Sequence, residues 1–354
     1  MKTLKRTWAD ISLDNLEYNY RSIRAHLPQG TKFLGVMKAD AYGHGAVPVS
    51  RALADLGAEY LAVSNLEEAV QIRRGEVRLP ILILGYTPAE YAANMIFLDI
   101  TQEVHSLEYA RELNEALAGT NYILNVHLKL DTGMTRIGFF AYDNERTLDE
   151  LRQVAQLSHL HIEGVFMHFC VADSRAEADV SFTKLQYKRF MDMLSAMAGV
   201  GIRPEIRHCC NSGATILYPE FALDMVRPGI ITYGNAPSDE LEGALSLRPM
   251  MSLHSMIAQV RTVPAGTDIS YGRLYRTKEE TRVAVLPIGY ADGLSRLLTG
   301  KASFYLQGHQ VPVIGRICMD MCMIDVSGVP EAKPGDVVTI FGYDDDGTLL
   351  PCER

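Results

Sequence analysis

Lys32-Phe33-Leu34-Gly35-Val36-Met37 is a short apolar run that ends on Lys38-Ala39-Asp40-Ala41-Tyr42-Gly43-His44-Gly45, a lysine followed by small, polar and glycine residues. A run of that length bounded by turn-forming residues reads as a buried strand. Upstream, Ser12-Leu13-Asp14-Asn15-Leu16-Glu17 opens an amphipathic helical pattern over 12–26, with Ser12 as N-cap. Downstream the alternation repeats. Further strands are expected near 59–64, 80–84, 97–101, 123–130, 160–168, 204–209 and 222–226. Helical patterns such as 66–75, 106–118, 145–157 and 181–199 lie between most of them.

Strands that alternate with helices predict a parallel sheet with crossover helices. About eight such units in a little over 200 residues predict a closed barrel rather than an open doubly wound sheet. No Gly-x-Gly-x-x-Gly opens a helix, so a dinucleotide-binding reading has no anchor. After residue 245 the pattern changes to strands alone, separated by Gly, Pro and Asp: Arg248 to Arg261 as one long strand, then Val283 to Ile288, Ser303 to Val313, Met321 to Val326 and Asp336 to Phe341. The expected architecture is therefore α/β, an N-terminal (β/α)8 TIM-type barrel over 1–244 followed by a mainly-β C-terminal domain over 245–354.

Composition narrows the partners. Of 354 residues 47% are hydrophobic and 22% charged, which excludes a mainly disordered chain. A net charge of −9 argues against a nucleic-acid footprint. No apolar run reaches the ~18 residues a bilayer span needs, and Met1-Lys2-Thr3-Leu4-Lys5-Arg6 leads into Asp10 and Asp14 without the apolar core of a signal peptide. The cysteines, Cys170, Cys209, Cys210, Cys318, Cys322 and Cys352, show no paired zinc spacing. Reduced thiols, a cytoplasmic location and no metal are expected.

In a barrel the chemistry sits at the carboxyl ends of the strands. The first strand ends on Lys38, a residue type that forms a Schiff base with a carbonyl when its pKa is depressed; alone it reads more readily as a solvated surface charge, and the Tyr42 hydroxyl with the small and polar residues after it favour the first reading. The fifth carries Lys129 in His127-Leu128-Lys129-Leu130-Asp131-Thr132-Gly133-Met134-Thr135-Arg136, a buried cation unless paired or modified. The sixth ends Phe166-Met167-His168-Phe169, where a lone histidine is ordinarily a core residue. The seventh ends Arg207-His208-Cys209-Cys210-Asn211-Ser212-Gly213, where Ser212 is either a plain helix cap or part of an anion site. The eighth reads Met225-Val226-Arg227-Pro228-Gly229-Ile230, suited to a phosphate loop of backbone amides or to a structural ion pair at Arg227.

Val36 to Gly45, Leu130 to Met134, Met225 to Ile230, Ile269-Ser270-Tyr271-Gly272, Pro287-Ile288-Gly289-Tyr290-Ala291-Asp292-Gly293 and Gly315-Arg316-Ile317-Cys318-Met319-Asp320, in that order and across both domains, resemble the alanine racemase family. The resemblance implies a pyridoxal 5′-phosphate (PLP) enzyme that interconverts L- and D-alanine by a two-base mechanism and supplies D-alanine for peptidoglycan. It implies that Lys38 carries the cofactor and serves as one base, and that Tyr271, contributed by the partner subunit of a homodimer, is the other. It assigns the phosphate to Tyr42, Ser212 and the backbone of Gly229 and Ile230. Arg227 falls at the pyridine nitrogen, supported by His208, with His168 between Arg227 and Tyr271. Arg136 falls at the phenolic oxygen and the substrate carboxylate, Met319 at that carboxylate, and Tyr290 and Asp320 at the entry channel. Lys129 matches a lysine that is carbamylated in many members.

The family normally continues past a segment like Gly347-Thr348-Leu349-Leu350 with a further tyrosine at phosphate and substrate, so this chain is expected to be short at its C-terminus. That segment would help separate alanine from serine specificity. A serine or broad-specificity amino-acid racemase and a non-catalytic PLP-binding protein are the alternatives. The absence of the N-terminal membrane domain of serine racemases favours alanine. A PLP-dependent decarboxylase of the same architecture would place a carboxylate where Arg227 stands.

Overall fold

The computed structural model describes residues 6–142 and 144–351. Cys352 and the start of the chain at 1–5, about which a free thiol and no signal peptide are expected, lie outside the described residues. The chain forms two compact units, one of Leu13–Arg248 and one that joins the stretch up to Ser12 to the residues from Pro249 onward.

Strand β1, Thr7–Ile11, precedes a helix over Leu13–His26. The first unit is built on β2 (Lys32–Val36), β3 (Tyr60–Val63), β4 (Ile81–Ile83), β5 (Ile100–Val104), β6 (Leu124–Asp131), β7 (Phe139–Phe140), β8 (Leu160–Phe166), β9 (Ile206–His208) and β10 (Met225–Val226). The order β5-β4-β3-β2-β10-β9-β8-β6, with β5 paired back onto β6, closes eight parallel strands into the expected barrel. Leu34, Val36, Tyr60, Ala62, Leu82, Ile206 and Met225 form one buried apolar cluster. Each large apolar side chain so buried contributes roughly 1.5–3 kcal/mol. Helices over Ala46–Leu56, Leu66–Arg74, Leu107–Ala116 and Glu177–Gly199 lie in the crossovers. Asn65 and Ser106 cap two of them by accepting from Glu68 N and Tyr109 N.

The strand expected over 97–101 begins later. Ala92–Phe97 is a helix, Asp99 turns the chain at φ 51°, and the strand starts at Ile100. Ala92-Ala93-Asn94-Met95 is a helix-forming run that the apolar Ile96-Phe97 obscures.

The second unit is antiparallel. Its strands are β11 (Met251–Met256), β12 (Gln259–Val263), β13 (Asp268–Ile269), β14 (Tyr275–Arg276), β15 (Thr281–Leu286), β16 (Ser303–Leu306), β17 (His309–Ile314), β18 (Cys322–Asp325), β19 (Val337–Tyr343) and β20 (Leu349–Leu350). The order β1-β11-β19-β16-β17-β18-β15-β12 forms one sheet around a core that includes Ile257, Leu286, Phe304, Leu306, Val313, Ile324 and Val338. The single strand expected over 248–261 is two. After Met256 the ladder changes partner, so that β11 pairs with β19 and β12 with β15. The strand expected over 303–313 is a hairpin, turned at Gln307 (φ 50°) and Gly308 (φ 78°). Two left-handed residues in a two-residue turn match the twist of the strands they join.

The expected division at 244/245 placed the N-terminus with the barrel, whereas β1 pairs with β11 in register Thr7–Ser255 to Ile11–Met251 and belongs to the second unit. Among the described residues no helix is long and apolar enough to cross a membrane.

Candidate active site

Lys38 follows β2 and is exposed at the end of that strand. The residues after it turn the wrong way for L-amino acids. Ala39, Asp40, Ala41 and Tyr42 all have φ between 52° and 55°. A left-handed turn costs roughly 1–2 kcal/mol per non-glycine residue, so something must hold it. Glu68 accepts from Ala39 N (2.7 Å) and Ser64 N (2.8 Å). Asp40 Oδ1 accepts from Ala46 N at 2.7 Å, and Asp40 O from Gly45 N at 2.9 Å. His44 Nδ1 meets Ala41 O (3.0 Å) and Tyr42 O (3.1 Å) while its ring stacks on Tyr233. The clamp directs Tyr42 back over Tyr233, ring centroids 4.9 Å apart, with Lys38 Nζ 5.8 Å from the Tyr42 ring.

Tyr42 meets Ser212 and Gly229 there. Gly229 N donates to Ser212 Oγ at 2.9 Å. A Cβ on Gly229 would lie 2.8 Å from Tyr42 Oη. Asn211, not Ser212, caps the short helix Ser212–Leu217 by accepting from Ala214 N, which leaves the Ser212 hydroxyl for this corner. Ile230 is the next residue, at the start of a 3-10 turn.

Arg227 is buried, 3% exposed, at the end of β10. Nη1 meets His208 Nδ1 at 3.0 Å; Nη2 donates to Met167 O (2.7 Å) and Cys209 O (3.1 Å) and approaches His168 Nδ1 at 3.4 Å. The structure thus brings together His168, Arg227 and His208. Burial pushes Arg227 down to about 10, still charged at neutrality. Burial and the Arg227 charge hold both His168 and His208 well below the usual histidine range. Both rings are therefore neutral and accept from the guanidinium through Nδ1.

Lys129 is buried with Nζ 4.4 Å from the centroid of the Phe166 ring. Burial first, then the charges of Arg227 and Arg136, hold its amine well below the ordinary lysine range. Arg136 itself is exposed, on a loop shaped by Asp131, whose Oδ1 accepts from Gly133 N and Thr135 N at 3.0 Å each. Gly138 (φ 132°) closes that loop where a Cβ would lie 2.8 Å from Asp131 N.

The remaining predicted residues share one loop cluster of the second unit. Ser270 (φ 64°) donates its hydroxyl to Arg316 O at 2.6 Å and lies 3.4 Å from Cys318 Sγ. Tyr290 N donates to Cys318 O and Ala291 N to Met319 O. Gly289 has no room for a side chain, since its Cβ would lie 2.3 Å from Met319 O. Tyr271 (70% exposed), Met319 and Tyr290 all face outward from this cluster, and Asp320 is exposed beside them.

Sequence reading missed Glu68 and a buried chain beyond His208. His208 Nε2 meets His127 Nδ1 at 2.9 Å, and His127 Nε2 meets Glu163 Oε2 at 3.0 Å. The same Glu163 oxygen accepts from Tyr60 Oη (2.7 Å) and Thr101 Oγ1 (3.3 Å). A signal existed: His127 precedes Lys129 by two on β6, hence on the same inward face, and Glu163 interrupts an apolar strand.

Residues 11–237 match the family model described as alanine racemase, N-terminal domain, and 250–352 match alanine racemase, C-terminal domain. The chain is 46% identical over 347 residues to the alanine racemase of Desulfovibrio desulfuricans, covering 98% of this chain and 91% of that protein. It is 42% identical over 344 residues to alanine racemase 1 of Clostridium acetobutylicum, covering 97% and 88%. Among solved structures, alanine racemase of Clostridium difficile aligns with TM-score 0.90 at 40% identity, covering 97% of this chain and 89% of that one. Alanine racemase from Bacillus anthracis with bound L-Ala-P aligns with TM-score 0.91 at 33% identity, covering 99% and 89%.

Proposed function

The chain belongs to the alanine racemase family, and from that premise we propose that it interconverts L-alanine and D-alanine with PLP as cofactor, supplying D-alanine for peptidoglycan. The working unit is a cytoplasmic homodimer in which each barrel is completed by the second domain of the other copy. The exposed Tyr271, Leu274, Tyr290, Met319 and Met321 support that pairing, since apolar side chains gathered on one surface favour a protein contact.

The residues present fit the cofactor. A corner where Tyr42 Oη, Ser212 Oγ and the Gly229 backbone converge, and which a Cβ at Gly229 would fill, suits a phosphate. A buried, multiply anchored guanidinium suits the ring nitrogen, and an exposed strand-end lysine suits the aldehyde. When bound, PLP supplies a carbonyl for the substrate amine and an electron sink that acidifies the α-proton. Lys38 attaches the cofactor and, once freed, moves the α-proton on one face. Tyr271 moves it on the other. A phenol has an ordinary pKa near ~10 and needs help to act as a base. His168, accepting from Arg227 through Nδ1, bears its proton on Nε2 and has an N–H to offer the Tyr271 oxygen. Arg136 and the Met319 backbone hold the substrate carboxylate, while Tyr290 and Asp320 line the entry. Lys129, whose burial beside the Arg227 and Arg136 charges favours the uncharged amine, is set up to add carbon dioxide; the new N–C bond gives a carbamate and releases a proton.

The observation that carries the reading is Arg227. It keeps its own proton and only donates a hydrogen bond, so it weakens the electron sink and limits side reactions. Arg227→Glu is expected to raise pyruvate formed per alanine racemised by at least about tenfold, the scale of a hydrogen bond to a charged group. Chiral analysis with a pyruvate assay measures it, and an unchanged ratio refutes the role. Gly229→Ala is expected to weaken PLP binding about tenfold in a spectrophotometric titration, one displaced phosphate contact; unchanged affinity removes the cradle assignment. The activity itself is tested by α-proton exchange in heavy water with L-alanine and L-serine in separate tubes. Exchange with inversion on alanine is expected. Faster inversion of serine would make the chain a serine racemase, and cofactor binding without exchange would make it a PLP carrier.

A further inference from the structure

Arg227 does not end at its immediate partners. The hydrogen bonds continue away from the strand-end face, through His208 and His127, to Glu163, which lies beside Tyr60 and Thr101 near the amino-terminal ends of β3 and β5. Each contact is between 2.7 and 3.0 Å except that of Thr101, at 3.3 Å.

We infer that Glu163 is a positioning residue for Arg227, acting through a buried relay in which both histidines are held as the Nε2–H tautomer. The inference rests on the role of Arg227 at the cofactor ring proposed above. The direction of the relay follows from its two ends. Arginine has no acceptor, so His208 Nδ1 must be bare and its proton must sit on Nε2. That proton is donated to His127 Nδ1, which is therefore bare, and the His127 proton sits on Nε2 facing Glu163. From the other end, an ionised carboxylate only accepts, which demands the same Nε2–H on His127. Burial opposes the Glu163 charge most, yet the donors His127, Tyr60 and Thr101 together hold its carboxyl below the usual range. Burial keeps both histidines neutral, with Glu163 pulling the other way only at His127.

Both ends require one proton arrangement, and the ring of His208 is also fixed by stacking on Phe166 at 4.9 Å and 9°. Its Nδ1 is then a directed acceptor that Glu163 makes more electron-rich through His127. Such polarised chains strengthen the bonds within them. The guanidinium is held from the His208 side by this acceptor and from the other by Met167 O and Cys209 O. Glu163 thus acts on the site without reaching substrate or cofactor.

The tautomers can be read directly. Long-range 1H–15N spectra of the 15N-histidine-labelled protein, with and without PLP, are expected to show His127 and His208 protonated at Nε2 and bare at Nδ1. A proton on Nδ1 of either ring in the wild type overturns the relay. Glu163→Leu removes the acceptor; the Arg227 end still holds both rings as Nε2–H, but the His127 Nε2–H signal is expected to move upfield for want of a partner, and pyruvate formed per alanine racemised to rise about tenfold, one hydrogen bond's worth. Glu163→Gln keeps a carbonyl acceptor and is expected to keep both Nε2–H tautomers and to hold the ratio closer to wild type. A switch of His127 to Nδ1–H in Glu163→Gln overturns the inference even where Glu163→Leu does not fold. A folded Glu163→Leu with wild-type ratio overturns it as well. In that last case Arg227→Glu separates the two readings: a raised ratio there leaves the role of Arg227 standing and removes only that of Glu163.

Discussion

Lys38→Ala is expected to abolish racemisation, by at least about 10^4-fold, and to remove the visible absorption band of attached cofactor. Lys38 is exposed at the end of β2 at the barrel mouth, whereas the other amine of the site, Lys129, is buried against Phe166. An amine that must attack a carbonyl, leave, and then collect a proton needs space and rotational freedom, and Lys38 has both. The turn that presents it is held by backbone and carboxylate contacts from Glu68 and Asp40, none of which involves the Lys38 side chain. The substitution should therefore fold and still bind the phosphate at Tyr42, Ser212 and Gly229. Absorption spectroscopy and chiral product analysis check both expectations. A visible band of normal intensity in the mutant would move the attachment to another amine.

Tyr271→Phe is expected to lose α-proton exchange from L-alanine by about 10²–10⁴-fold, the usual contribution of a positioned acid or base, while exchange from D-alanine, served by Lys38, persists. Tyr271 is 70% exposed, so removing its hydroxyl should shift stability by no more than ~0.5 kcal/mol. Its loop is held by the Ser270 hydroxyl on Arg316 O and by the Arg273–Asp268 pair, both independent of the phenol. A loss of activity in this variant is thus a chemical loss. Heavy-water exchange with each enantiomer, followed by NMR, separates the two faces. Equal exchange from both enantiomers would mean that Tyr271 is not the second base.

Much of the molecule is legible in the residue order. Apolar runs of four to eight residues between helical patterns report the barrel, because a strand buried on both faces and a helix buried on one leave different periodicities. Strand-end positions report Lys38, Ser212 and Arg227, because a barrel exposes one set of loops to chemistry. Turns were harder. Gln307-Gly308 and the break after Met256 lie within runs that are apolar and strand-forming on both sides, so composition alone joins what the ladder separates.

Local sequence therefore determined most of the strand and helix segments, that the first two-thirds form a barrel, and which residue types stand at its mouth. Only the tertiary structure decided that β1 crosses to the second unit and that Glu68 secures a left-handed turn at Lys38. It alone joined Arg227 to Glu163 through residues 208 and 127. The physical reason is range. Periodicity and capping act over a few residues, whereas a strand's partner, a carboxylate's donor and a histidine's tautomer are set by groups 29 to 248 positions away that the fold brings within 3 Å.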